Sequence, residues 1–444
     1  MKKKLLWQLI LVICISIVAM FSLATTAEVA TGGYEGQIRM WTFLNPEGTA
    51  GREVALKQII TSFEKDFPNC KVIVEPQQWD VMTAKFFAAH QAGNAPDIMW
   101  VGINLVGQAM QMGALEPFEN LFLKDWSDTD LADIEDPLWE LTSKNGKHYA
   151  ISVSRGHYGI AYREDLLKEK GITTPILTWD ELIEAGKKLT EKDAKTGIQR
   201  YGFGVTLSTE KALDPNVYIV DLLYRQGDLF TKDGKAMWST ESGIKAMQLQ
   251  SDMIKVHNIT PASVVNSNVD DILRDFAAGK YAMILMTLVR ATALQEAATF
   301  DKNLIKFMLI PSFDGKAPSP SRVGAWCIGV WSKSQNKEAA GKFVEYMFNK
   351  ESDKLWVTLG GQIPLRKSTI ETCKDFLADP LNYHLSIGAK GIATASYFEP
   401  TNFKIGGYVI DINKAVQEII INNKPIQEAL ADAEKAFNER NFGK

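Results

Sequence analysis

The sequence predicts a layered α/β protein with parallel strands, on three observations. Short apolar runs alternate with segments of helical periodicity from Gln37 to Val101, and the alternation resumes beyond Tyr149 and continues to Met286. Strand, helix and strand in succession imply crossover connections, hence parallel pairing with helices layered on the sheet. No tandem repeat, low-complexity tract or flexible linker interrupts the pattern, so the domains are expected to pack directly on one another.

The elements follow in order. Gln37-Ile-Arg-Met-Trp41 alternates and opens into a polar mouth, Leu44-Asn-Pro-Glu-Gly48. Leu56, Ile59, Ile60, Phe63 and Phe67 recur at helical spacing until Pro68-Asn69 ends the run. Residues 70–74 read as a second strand, and 79–90 as a helix with Phe86 and Ala89 inward. In Gln91-Ala-Gly-Asn-Ala-Pro-Asp97, Gly93 and Asn94 suit the left-handed residue that closes a helix, and Pro96 cannot continue one. Ile98-Met-Trp-Val101 is then a strand fit for burial on both faces. Ligands in open α/β sheets sit beyond the carboxyl ends of such strands, which makes Trp100 a candidate for stacking on a ring.

The second half is read by the same rules. Residues 149–153 are extended, and 201–206 and 282–286 are strands. Thr178-Trp-Asp-Glu181 is a capping box: the threonine oxygen takes a backbone N–H and the glutamate reaches back. Helical periodicity covers 244–254, 269–278, 337–348, 410–421 and 426–437.

Composition narrows the function. Lys2-Lys3-Lys4, an apolar run over 9–23 and the small residues Thr25-x-Ala27 read as a secretory signal peptide over 1–27. The run falls short of the roughly 20 residues of a membrane anchor. Cys14 lies mid-run behind Ile13, which does not suit lipid attachment. Losing 1–27 removes three lysines and no acids, taking the net charge from −4 to −7 and arguing against nucleic-acid binding. Roughly 417 remaining residues, at about 150 per domain, make two or three domains. Cys70, Cys327 and Cys373 form neither a disulfide framework nor a zinc site and are expected as buried thiols. The sequence has no Gly-x-Gly-x-x-Gly, Walker loop, His-Glu-x-x-His or Gly-x-Ser-x-Gly, so no cofactor or metal is expected.

Several ordered segments resemble the extracellular solute-binding proteins of bacterial ABC importers, family 1, the group of maltose-binding protein. They are Ile38-Arg-Met-Trp-Thr-Phe43, Phe63-Glu-Lys-Asp-Phe-Pro-Asn69, Ala92-Gly-Asn-Ala-Pro-Asp-Ile-Met-Trp100 and Gly146-Lys-His-Tyr-Ala-Ile-Ser152. Tyr162-Arg-Glu-Asp-Leu166, Thr178-Trp-Asp-Glu-Leu182, Phe276-Ala-Ala-Gly-Lys-Tyr-Ala-Met283 and Gly360-Gly-Gln-Ile-Pro-Leu-Arg366 complete the set. The resemblance implies a two-lobe, periplasmic-binding-protein-like fold (type II), with the ligand in a cleft between lobes joined by crossing segments. Those crossings are expected near 152–156, 322–325 and 357–361. The lobes are expected as 28–152 plus 325–357 and 153–324 plus 358–444. Two departures stand out. Arg163 follows Tyr162 where the family has asparagine, and Thr287-Leu-Val-Arg290 brings an arginine where the family brings a tryptophan, which hints at an anionic group on the ligand.

The implied function is a periplasmic, monomeric, non-catalytic receptor that binds a carbohydrate and delivers it to a membrane permease. The competing reading is an exported carbohydrate-active enzyme, a glycoside hydrolase or lyase with a carboxylate pair. A sugar site wants flat aromatic surfaces and a few planar polar groups. Candidates on the first lobe are Trp41 and Asn45 at the first strand's mouth, Gln78 after the second strand, and Trp100. Asp97 either holds hydroxyls or caps its loop. Around the crossings the candidates are Arg155, Tyr158 and Trp326. Arg290 follows the 282–286 strand, and Arg366 either meets ligand or salt-bridges the lobes. Tyr397 and Tyr408 flank an aromatic loop, and one of them is expected to stack on the ligand.

Overall fold

The computed structural model describes residues 33–134, 139–194, 197–210, 217–227, 229–397 and 408–443. The expected signal peptide, with Cys14, and the loop 398–407 lie outside the described residues.

Two five-stranded sheets organise the chain. We label the strands β1 (Gly36–Thr42), β2 (Cys70–Pro76), β3 (Ile98–Gly102), β4 (Ile151–Gly156), β5 (Tyr158–Arg163), β6 (Glu191–Lys192), β7 (Gln199–Gly204), β8 (Tyr281–Thr287), β9 (Ile305–Met308) and β10 (Gly324–Val330). The first sheet runs β2-β1-β3-β10-β4. In it β1 is parallel to both neighbours, as two crossover helices require, while β10 is antiparallel to β3 and β4. The second runs β9-β5-β8-β7-β6, with β7 and β8 parallel and the other pairings antiparallel. Each sheet has its own apolar core. One gathers Ile38, Phe63, Phe86, Trp100, Ile328 and Phe343; the other gathers Ile160, Trp179, Phe203, Ile284, Phe276 and Ile412. A small third cluster joins Val357, Ile363, Cys373 and Leu385. This is a two-lobe α/β fold.

Local chemistry sets the helix limits. Helix α1 (Gly51–Asp66) opens with Glu53 accepting the N–H of Ala50 at 3.1 Å and of Asn45 at 3.2 Å. Helix α2 (Met82–Ala92) ends at Gly93 with φ 74°, the left-handed stop read from the sequence. Helix α3 (Ile103–Gln111) starts directly from β3. In helix α4 (Trp179–Leu189) the capping box forms: Thr178 Oγ1 accepts from Glu181 N at 3.1 Å, and Glu181 accepts from Thr178 N at 3.1 Å. Among the described residues Cys70, Cys327 and Cys373 are buried and form no disulfide. No helix among the described residues is long and apolar enough to cross a membrane.

The passages between sheets are short. β4 stays in the first sheet through Gly156 and β5 begins at Tyr158, so His157 alone separates them. His157 is fully buried, with its ring nitrogens 2.7 Å from the Tyr158 carbonyl and 2.9 Å from that of Ala395. On the return, Ser321 and Arg322 pair with Ser396 and Tyr397, and Val323 already belongs to the first core. A third strip, residues 359–365, is tied to β4: Ser154 Oγ donates to Gln362 Oε1 at 2.7 Å, and Arg155 Nη2 donates to the Pro364 carbonyl.

Candidate functional site

A cavity of about 600 Å³ lies where the carboxyl ends of β1, β3, β4 and β8 meet the first residues of β5 and β10. From the first lobe come Phe43, one residue past β1; Arg52 in the first turn of α1; Trp79 and Asp80 after β2; Thr83 of α2; and Gly102 to Leu105, where β3 becomes α3. The second lobe gives Asp270, Thr287, Val289, Arg290 and Tyr408. The passages contribute Ser154, Gly156, Tyr158, Arg322, Gly324 and Trp326.

Aromatic rings form a graded floor. Phe43 and Trp326 are half-buried, with centroids 5.1 Å apart and planes tilted by 58°. Behind Phe43 stands Trp100, edge-on at 5.4 Å, and behind that Trp356 at 6.3 Å. The exposed faces are therefore backed by rings that fix their orientation. Across the cavity, Arg290 pairs with Asp270 at 2.7 Å. Arg322 Nη2 lies 3.5 Å from the Tyr158 hydroxyl. The joint is tight: a Cβ on Gly156 would meet Thr287 Oγ1 at 2.9 Å. Flat apolar faces on one side and paired polar groups on the other can hold a ring by its face and its hydroxyls. No group of metal-ligating side chains occurs among the described residues.

Residues 46–354 match the family of bacterial extracellular solute-binding proteins, most of the chain. The chain belongs to that family. It is similar to the arabinooligosaccharide-binding protein of Bacillus subtilis, 24% identical over 387 residues that cover 82% of this chain and 81% of the relative. It also resembles the solute-binding protein of Thermotoga lettingae bound with α-D-tagatose, at 25% identity and TM-score 0.75, covering 91% of this chain and 99% of that one. Maltose-bound MalE3 of T. maritima shares the fold at 20% identity and TM-score 0.76, over 90% and 99% of the two chains. Family and neighbours are binding proteins and not enzymes, so the hydrolase or lyase reading falls.

The solute-binding protein gathers four of the sequence-picked side chains at the cavity: Tyr158, Arg290, Trp326 and Tyr408. The others lie elsewhere, each for a physical reason. Trp41 is still inside β1, and its Nε1 donates to Glu75 at 2.7 Å, beside the Arg39–Glu75 ion pair; the chain turns into the cavity only at Phe43. Asn45 is exposed in the β1–α1 loop, where its Oδ1 accepts from Glu47 N at 3.1 Å. Gln78 is exposed, and its neighbour Trp79 takes the wall position. Asp97 sits at the opposite end of β3 and ties that end to distant segments, accepting from Arg39 N at 2.8 Å and Ser334 Oγ at 2.5 Å. Trp100 is 1% exposed, a core ring and not a plate. Arg155 is buried against the third strip. Arg366 forms a buried pair with Asp133 at 3.0 Å and lies over Trp126, away from the cavity. Tyr397 packs edge-on to Tyr224 at 5.9 Å. Arg52, Phe43 and Trp79 were missed. Phe43 shares β1's outward face with Trp41 by the two-residue period, which is the signal that could have found it.

Proposed function

We propose that this solute-binding protein is the carbohydrate receptor of an ABC importer. It binds an oligosaccharide or sugar derivative between its lobes and presents the closed form to a membrane permease. The carrying observation is the cavity between the two sheets, with Phe43, Trp79 and Trp326 on one side and Arg290, Asp270 and Tyr408 on the other. A ligand touching both walls binds the closed state better than the open one, and that difference drives closure. The sugars named for the B. subtilis, T. lettingae and T. maritima proteins support the same class of cargo.

In this reading Tyr158, Arg290, Trp326 and Tyr408 contact ligand, joined by Phe43 and Trp79. The lobes meet at His157, at 322–323 and along 357–361. Residues 1–27 export the chain to the periplasm, where it acts as a monomer. Calorimetric titration of the purified protein with mono- and oligosaccharides tests the reading, with small-angle scattering alongside. Saturable binding with a smaller radius of gyration is expected. Failure of every saccharide to bind, or release of a cleaved product, overturns it.

A further inference from the structure

Two cations of the cavity come from opposite lobes. Arg52 stands in the first turn of α1, and Arg290 follows β8. Among the described residues no carboxylate or hydrogen-bond acceptor engages the Arg52 guanidinium. It lies 5.3 Å from the Phe43 ring centroid, and the adjacent Glu53 carboxylate is turned to the backbone N–H groups of Asn45 and Ala50. Burial and then the like charge of Arg290 push the Arg52 pKa down. Of the two opposed cations, Arg290 is engaged by Asp270, whereas Arg52 meets no carboxylate among the described residues.

The backbone beside both arginines is threaded by one passage. A Cβ on Gly51, next to Arg52, would meet the Leu359 carbonyl at 2.2 Å. Gly361 has φ +62°, and a Cβ there would meet Thr292 Oγ1 at 2.9 Å, two residues from Arg290. Residues 359–361 thus run between the two arginine-bearing turns. Like charges on opposing walls favour separation, and an oxyanion received by both reverses the sign of that interaction. Guanidinium suits the task because its planar fork grips a carboxylate or phosphate through two hydrogen bonds.

We infer that the cargo is an acidic saccharide whose carboxylate or phosphate bridges Arg52 and Arg290 across the cleft and so draws the lobes together. The inference rests on the receptor reading above and narrows it from carbohydrate to anionic carbohydrate.

The test is calorimetry with matched pairs: a uronate disaccharide against its neutral counterpart, and a sugar phosphate against the free sugar. One acidic member should bind at least about tenfold more tightly than its partner, since a charge-assisted hydrogen bond is worth tenfold or more. That preference should weaken with added salt. Which pair discriminates identifies carboxylate or phosphate. Arg52→Gln should lower acidic affinity about 10- to 100-fold with an unchanged Tm, Arg52→Lys should recover part of it, and Arg290→Gln should repeat the loss if Arg52→Gln folds poorly. A neutral sugar binding as tightly as its acidic partner, or full acidic affinity in both glutamine variants, overturns the inference and leaves the receptor reading standing. Binding of neither class overturns both.

Discussion

The two walls of the cleft are built from different materials. The first lobe offers chiefly rings, with Phe43 and Trp326 facing the cavity and Trp100 and Trp356 edge-on behind Phe43, beside one cation, Arg52. The second offers a charge pair, Arg290 with Asp270, and the aromatic alcohol of Tyr408. Beneath this second wall the helix Tyr383–Thr394 carries His384, buried against Phe307. Rings fix where a flat solute lies, and polar groups fix which way round it lies. Only a solute that satisfies both gains from bringing the walls together.

The sharpest way to break the contrast is to remove the ring behind the first wall. Trp100→Ala is expected to cost about 3–5 kcal/mol of stability, as large-to-small changes at fully buried aromatics do; urea unfolding reads it as a lower midpoint.

The second lobe has a different weakness. Burial pushes the His384 imidazole down to about 4 from its ordinary 6.5, and its Nδ1 lies 3.1 Å from the Leu381 carbonyl. The unfolded chain then takes up the proton first. Stability is full above pH 6.5 and is lost as pH falls from 6.5 toward 4, by about 3 kcal/mol. Unfolding midpoints across that window, compared with those of His384→Leu, should show a flatter pH dependence in the variant.

Trp326→Ala separates binding from folding on the first wall. This half-buried plate should cost about 2 kcal/mol of ligand affinity, the scale of an aromatic hot spot, while the thermal midpoint moves little. The smallest effect is expected at the joint. Gly361→Ala places a Cβ at φ +62° and should cost about 1–2 kcal/mol. Scattering should show a changed balance of open and closed forms.

Much of the fold was legible because its signals are local. Gly93 as a left-handed stop and the Thr178–Glu181 capping box need only a few neighbouring residues. The parallel order of β1, β2 and β3 follows from the crossovers between them. The position of β10 between β3 and β4 was not readable, because its partners come from far along the chain. The family resemblance put Tyr158 and Trp326 beside the crossings, and both line the cavity. The site was misread where one residue decides the outcome: β3 runs on to Gly102, which leaves Trp100 inside, and β1 turns at Phe43, two residues past Trp41. Arg366 and Asp97 show the other limit. Their partners, Asp133 and Ser334, are distant in sequence, so nothing local marked them as structural. Arg52 sits among ordinary helix-face charges and has no pattern of its own.

The placement of β10 has a bearing on how the chain is made. The second sheet has all its strands once residue 308 has been synthesised, whereas the first, begun at residue 36, waits for residue 330 to fill the gap between β3 and β4. Long-range pairing of that kind is slow to nucleate. On a growing chain the free edge of β3 and the whole of β4 thus stay without their partner until β10 emerges, and the second core in turn waits for Ile412 and Phe437 from the last helices.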